Sequence, residues 1–268
     1  MGTARSDELL ALARRVADAL PPSAVEVVVT GSVSRGVADE LSDIELLVVT
    51  EEQLSLEEAF SLARAAGLAD VETWGDPATP TRRVHGHLDG QSIETIWWSR
   101  ELAEERFAEG GSAEALANGV ALRTSGLLAR WQERLAVSDE QARERIEKAA
   151  ERWGGFTPAG LLTIARPDTA LARAEWLVDA AQRVLAIVCA LNRVQPPTAK
   201  RLAARLESLA VKPERTAERI DAALAERDAR AALRTMTQLQ LDAVRLAPDG
   251  PNVVRARRWL ADALDLLA

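Results

Sequence analysis

The sequence predicts an α+β fold: a small mixed β-sheet with flanking helices over residues 1–125, then an all-helical domain over residues 126–268. Three observations carry this expectation. Short β-branched runs separated by turn residues fill the first half, and an Asp89-Gly90 hairpin signal sits among them. After residue 125 the apolar periodicity is helical almost to the end, interrupted at prolines.

Taken in order, Leu9, Leu12, Val16 and Leu20 have helical spacing, with Ser6 as the expected N-cap and Pro21-Pro22 as the stop. Ala24 to Thr30 reads as a buried strand. A glycine-containing turn follows from Gly31 to Gly36, and Ile44 to Thr50 is a second strand. Ser55 and Glu58 have the spacing of a capping box ahead of a helix to residue 66. Val71 to Trp74 is a short strand, and Arg82 to Leu88 and Gln91 to Trp98 form the hairpin arms. Ser99 to Glu109 is helical, and the small-residue stretch Gly110 to Ser125 has room for one more strand. Later breaks fall at Gly154 to Pro158, Arg166-Pro167, Gln195 to Pro197, Lys212-Pro213 and Pro248 to Pro251.

Composition narrows the function classes. With 47% hydrophobic and 28% charged residues, the 268-residue chain can build a globular core. No run approaches the roughly 18–20 apolar residues needed to cross a bilayer. The amino terminus alternates charged and apolar residues, unlike a signal peptide. Cys189 is the single cysteine, which excludes an internal disulfide and a cysteine-built metal site, so a cytoplasmic location is the default expectation. The net charge of -8 divides unevenly: residues 1–125 hold 22 acidic and 10 basic side chains, the remainder 19 and 23. An acidic sheet domain disfavours nucleic acid as a partner and suits a cationic small molecule. The basic half suits a triphosphate.

The chemistry-bearing segment is Gly31-Ser32-Val33-Ser34-Arg35-Gly36 followed by Ser42-Asp43-Ile44-Glu45. Strand side chains alternate, so Asp43 and Glu45 share a face while Ile44, Leu46 and Val48 take the other for helices to cover. Paired carboxylates repel each other, and a divalent cation with hard oxygen ligands relieves that cost. The preceding turn offers Gly31 for close backbone approach, the Ser32 hydroxyl, and backbone N–H groups suited to a phosphate.

These residues resemble the DNA polymerase beta-like nucleotidyltransferase superfamily, whose signature is Gly-Ser, a spacer, and two acidic residues one position apart at the start of a strand. Gly31, Ser32, Asp43 and Glu45 match it, and Arg35-Gly36 is a frequent addition. The resemblance is clear over residues 24–50 and extends to about residue 98. Within the superfamily the chain looks closest to the small bacterial lincosamide and aminoglycoside nucleotidyltransferases, which add a helical carboxy-terminal domain. The resemblance implies transfer of a nucleoside monophosphate, AMP from ATP, to a hydroxyl of a small molecule such as an antibiotic, with release of pyrophosphate. Two Mg²⁺ ions and a nucleoside triphosphate are the implied cofactor and co-substrate.

A third carboxylate on a later strand is usual in the superfamily. Counting outwards from Asp89-Gly90 sets His87 opposite Ser92 and His85 opposite Glu94, all on one face, and nominates Glu94. Glu94 either completes the metal site or acts as general base. His85 and His87 lie beside it, although histidines on a half-exposed strand need no ligand. Lys200, one of three lysines, is the phosphate candidate that the resemblance suggests from the helical domain. Arg35 is a second, with a surface turn arginine as the plain alternative. Glu175 and Asp179, one turn apart, read as a solvated helix face. Of Trp97 and Trp98, on opposite strand faces, one is free to line a pocket. Cys189 reads as packing. Two other functions stay open: nucleotidylation of a protein or tRNA end, as in toxin–antitoxin systems, and a non-catalytic nucleotide-binding regulator. The oligomeric state is not legible.

Overall fold

The computed structural model describes residues 2–73, 76, 78–108, 113–151, 157–196 and 202–268. It is an α+β protein that divides into two compact units, Met1–Leu135 and Ala136–Ala268. The boundary falls later than residue 125 because the helix after the last strand packs on the sheet.

The first unit is built on six strands: β1 (Ala24–Val29), β2 (Ile44–Thr50), β3 (Ala69–Thr73), β4 (Arg82–Leu88), β5 (Gln91–Ser99) and β6 (Val120–Arg123). Their spatial order is β3-β4-β5-β2-β1-β6. The sheet is mixed: β2 and β5 run parallel, and the other pairs are antiparallel. Six helices surround it: α1 (Ala4–Ala19), α2 (Gly31–Ser34), α3 (Leu56–Ala65), α4 (Arg100–Ala108), α5 (Ala113–Ala117) and α6 (Leu127–Leu135). The period-2 alternation of the strands sorts the core into two layers. Val27, Val29, Ile44, Leu46, Val48, Ile93 and Trp97 pack with Leu9, Ala13 and Val16 of α1 and Ala59 and Ala63 of α3. On the opposite face Val28, Leu47, Val49 and Trp98 meet Leu102 and Phe107 of α4, Leu116 of α5 and Trp131 of α6. Both tryptophans of the Trp97-Trp98 pair are therefore core, at 1% and 7% exposure.

Local signals explain most element ends. Asp89 and Gly90 adopt positive φ of 52° and 77°, the mirror-image turn that matches strand twist, and they fix the expected hairpin register. Ser55 and Glu58 form the full capping box of α3. The N-cap of α1 is Thr3 and not Ser6. Thr3 Oγ1 accepts from Ser6 N at 3.1 Å and also donates to Ala38 O at 2.8 Å, a second bond that favours the earlier start. The strand expected at Val71–Trp74 begins at Ala69, and Trp74 lies outside the described residues.

A buried carboxylate and a half-buried guanidinium tie the sheet's last crossing together. Glu26 of β1 is fully buried and accepts from Ser125 N at 2.6 Å, Ser125 Oγ at 2.8 Å, and Leu127 N and Leu128 N at 3.2 Å. It thus occupies the donor end of α6, where a carboxylate is electrostatically favoured. Arg123 of β6 donates to the carbonyls of Ala17, Leu20, Pro21 and Ala24, tying β6 to the end of α1 and to the turn into β1.

The second unit holds α7 (Asp139–Glu151), α8 (Pro158–Ile164), α9 (Ala170–Leu191), α10 (Leu202–Glu207), α11 (Thr216–Ala225), α12 (Ala229–Leu246) and α13 (Pro251–Leu267). Its core runs along α9 and α12, through Trp176, Val184, Leu233 and Met236. Cys189 is 1% exposed within the same helical packing. Among the described residues no helix is long and apolar enough to cross a membrane.

Replacing Glu26 by alanine leaves its buried donors without an acceptor. We expect Glu26→Ala to lower unfolding free energy by about 3 kcal/mol, read from the denaturant midpoint, because each stranded buried donor costs on the order of 1–3 kcal/mol.

Candidate active site

The site begins with the turn after β1. Gly31 opens α2 at φ +69°, a conformation that L side chains rarely adopt. A Cβ at this position would lie 2.5 Å from Glu45 Oε2, so only glycine lets the Glu45 carboxylate rest against the backbone. Thr30 N donates to Glu45 O at 2.9 Å, joining this turn to β2. Ser32, half-buried, stands in the single turn of α2, whose first N–H groups have no intrahelical acceptor.

Asp43 comes immediately before β2 and is positioned by a pinned approach loop. Gly36 O accepts from Thr3 N at 3.0 Å, and Ala38 N donates to Ser6 Oγ at 2.9 Å, holding the loop on the start of α1. Asp39 Oδ1 accepts from Leu41 N and from Ser42 Oγ, both at 3.0 Å. Ser42 O accepts from Gln91 Nε2 at 2.9 Å, which ties the residue before Asp43 to the first residue of β5.

The parallel pairing of β2 with β5 brings the carboxylates together. Its register sets Glu45 directly beside Glu94, with Ile44 beside Ile93. Neighbouring strands lie about 4.8 Å apart. Glu45 and Glu94 are both half-buried, and Leu47, Val49 and Trp98 continue their face beneath α4 and α6. On the far side β4 sets His85 opposite Glu94, and β3 sets Glu72 opposite His85. One polar row therefore crosses four strands in the order Glu45, Glu94, His85, Glu72. β5 is an interior strand, so Glu94 is not an exposed edge residue.

His85 is engaged at both ring nitrogens: Nε2 with Ser92 Oγ at 2.9 Å, and Nδ1 3.5 Å from Glu72 Oε1. His87 packs edge-on against His85 with ring centroids 4.9 Å apart. Arg83 Nη1 stands 4.0 Å from Glu94 Oε1 and places a cation beside the row. Among the described residues, no three His, Cys, Asp or Glu side chains are already gathered as a metal site. What the backbone supplies is a register that sets Glu45 beside Glu94, Asp43 immediately before the same strand, and hard oxygen donors on all three.

Two phosphate candidates fare differently. Arg35 points away from the acidic row: its Nη1 lies 3.1 Å from both Glu114 carboxylate oxygens, in a pair whose side chains are 9% and 8% exposed. It is neither a surface turn arginine nor a free phosphate ligand, but a buried strut between the loop after α2 and α5. Nothing in the sequence signalled Glu114 as its partner, because the two are far apart in the chain. Lys200 lies outside the described residues. In the second unit Asp179 pairs with Arg183, and Glu175 is exposed.

The comparisons address the same segment. Residues 11–74 match the family model described as the nucleotidyltransferase domain. This stretch is similar to a nucleotidyltransferase. The match spans about a quarter of the chain and contains Gly31, Ser32, Asp43 and Glu45, while Glu94 lies beyond it. No curated protein gives a match. A solved nucleotidyltransferase-like protein from Exiguobacterium sibiricum 255-15 aligns over 90% of this chain and 83% of its own, with 13% identity and a TM-score of 0.35. Agreement that loose carries no argument.

A glycine comparison tests the contact at Glu45. Gly90, at φ +77°, has open space around its missing Cβ, so Gly90→Ala incurs backbone strain alone, about 1 kcal/mol. Gly31→Ala adds the collision with Glu45, and its denaturant midpoint is expected to fall clearly below that of Gly90→Ala.

Proposed function

We propose that the chain is a nucleotidyltransferase that moves AMP from ATP to a hydroxyl of a small acceptor, releasing pyrophosphate. The observation that carries this reading is the register that sets Glu45 beside Glu94, with Gly31 backed onto the Glu45 carboxylate. The match of residues 11–74 supports the reaction class. The acidic charge of the first half favours a cationic acceptor, an antibiotic among them.

Mg²⁺ fits the donor set, because carboxylate oxygens are the ligands it prefers and the residues stand where like charges would otherwise repel. Asp43 and Glu45 would hold the ion, and Glu94 would complete a second position or accept the acceptor's proton. When bound, the metal supplies charge neutralisation for the triphosphate and acidity for the attacking hydroxyl. Ser32 and the first N–H groups of α2 would orient phosphate oxygens. Glu94, one strand over with Arg83 beside it, would face the acceptor hydroxyl in an in-line attack.

Two outcomes check the proposal. Purified protein incubated with each nucleoside triphosphate, Mg²⁺ and an aminoglycoside and lincosamide panel is expected to release pyrophosphate, and mass spectrometry is expected to find an acceptor heavier by one nucleotidyl group. Asp43→Asn and Glu45→Gln are each expected to lower that rate by about 10²-fold or more, with folding retained, since they remove charge aimed at the transition state. ATP binding with no pyrophosphate from any acceptor would favour a regulator; label transfer to protein or tRNA instead would move the acceptor class.

A further inference from the structure

We propose that the helical unit carries a separate binding pocket for a small organic anion, formed between α7 and α9. The pocket has a volume of 490 Å³, within the range of small-ligand sites. Its cations are Arg145 and Lys148 from α7 and Arg183 from α9. Its apolar lining comes from small side chains, Ala149, Ala186, Cys189 and Ala190, with Pro196 at one side. A flat or branched apolar body fits against such a floor, and an anionic head group fits the cations above it.

The charge balance is what points to a ligand. Among the described residues, three cations line the cavity against one carboxylate, Asp179, which is 45% exposed and already paired with Arg183. Arg183 is nine-tenths buried, so its charge is poorly screened by water. Arg145 donates through Nη2 to Gln195 Oε1 at 3.3 Å, while its Nη1 is buried and has no hydrogen-bond partner among the described residues. A buried guanidinium donor left unsatisfied is costly, and an anion would satisfy it. Cys189 does not supply the missing negative charge. Burial pushes its thiol up to about 11, although Arg205 and Arg145 act in the opposite direction. The neutral thiol therefore belongs to the apolar floor. The described residues that line this site belong to α7, α9 and the segment after α9, and its existence does not depend on the nucleotidyl-transfer reading.

The test uses 8-anilinonaphthalene-1-sulfonate, an apolar body bearing one anion, and N-phenyl-1-naphthylamine, which lacks the sulfonate. The full chain is expected to bind the sulfonate at one saturable site and the neutral compound at least about tenfold more weakly, a difference of roughly 1.4 kcal/mol. Lys148→Glu and Arg145→Gln are each expected to weaken the sulfonate by a similar factor, and Ala186→Leu to weaken both compounds by filling the floor. Lys148 is exposed, so Lys148→Glu retains the fold, and melting curves verify this for all three variants. Phenyl phosphate or benzoate is expected to displace the probe, and whichever does so more strongly identifies the head group. Equal binding of the neutral compound, or sulfonate binding unchanged in Lys148→Glu and Arg145→Gln, would overturn the proposal.

Discussion

The parallel pairing of β2 with β5 is the constraint on which the acidic site depends. The remaining strand pairs are antiparallel, and they could be rearranged locally without joining the two signature regions. This one pairing takes a residue from the Gly-Ser segment and a residue from the distant hairpin and makes them lateral neighbours, Glu45 beside Glu94. Two half-buried carboxylates held side by side are unfavourable unless a cation answers them. Arg83 answers in part, from the far side of Glu94.

The supporting features serve that pairing. The hydrophobic residues on either side of the row are covered by helices, α1 and α3 on one face and α4 to α6 on the other, so the strands cannot shift register without exposing Val48 or Leu47. The Gly31 turn admits the Glu45 carboxylate because it has no Cβ. The loop to Asp43 is held twice, on α1 through Gly36 and Ala38 and on β5 through Gln91. The polar groups that close the unit, Glu26 at α6 and Arg123 at α1, act at the other end of the strands from Glu45.

Much of this was legible in the sequence where the information is local. The Asp89-Gly90 turn fixed a register that could be counted to His85 and Glu94, because a two-residue loop leaves no slack. The capping box of Ser55 and Glu58 needs only three residues of spacing. The alternation of Ile44, Leu46 and Val48 showed which face would be core. What escaped was non-local. Glu26 sits in a β-branched run where a single acid looks like a surface residue, and only the distant start of α6 explains it. Arg35 carries a motif position that suggests phosphate, yet Glu114, from a helix too short to announce itself, takes its charge. Trp97 and Trp98 alternate faces as expected, and each enters a different core layer, because helices cover both faces at that end of the sheet.

The most direct measurement is a crystal structure of the full chain soaked with Mn²⁺ and a non-hydrolysable ATP analogue, with the ion found by its anomalous scattering. The account requires the anomalous peak between Asp43 and the neighbouring Glu45 and Glu94, with the triphosphate running towards Ser32. An ordered nucleotide and ion elsewhere on the chain, with these three carboxylates left facing solvent, would contradict it.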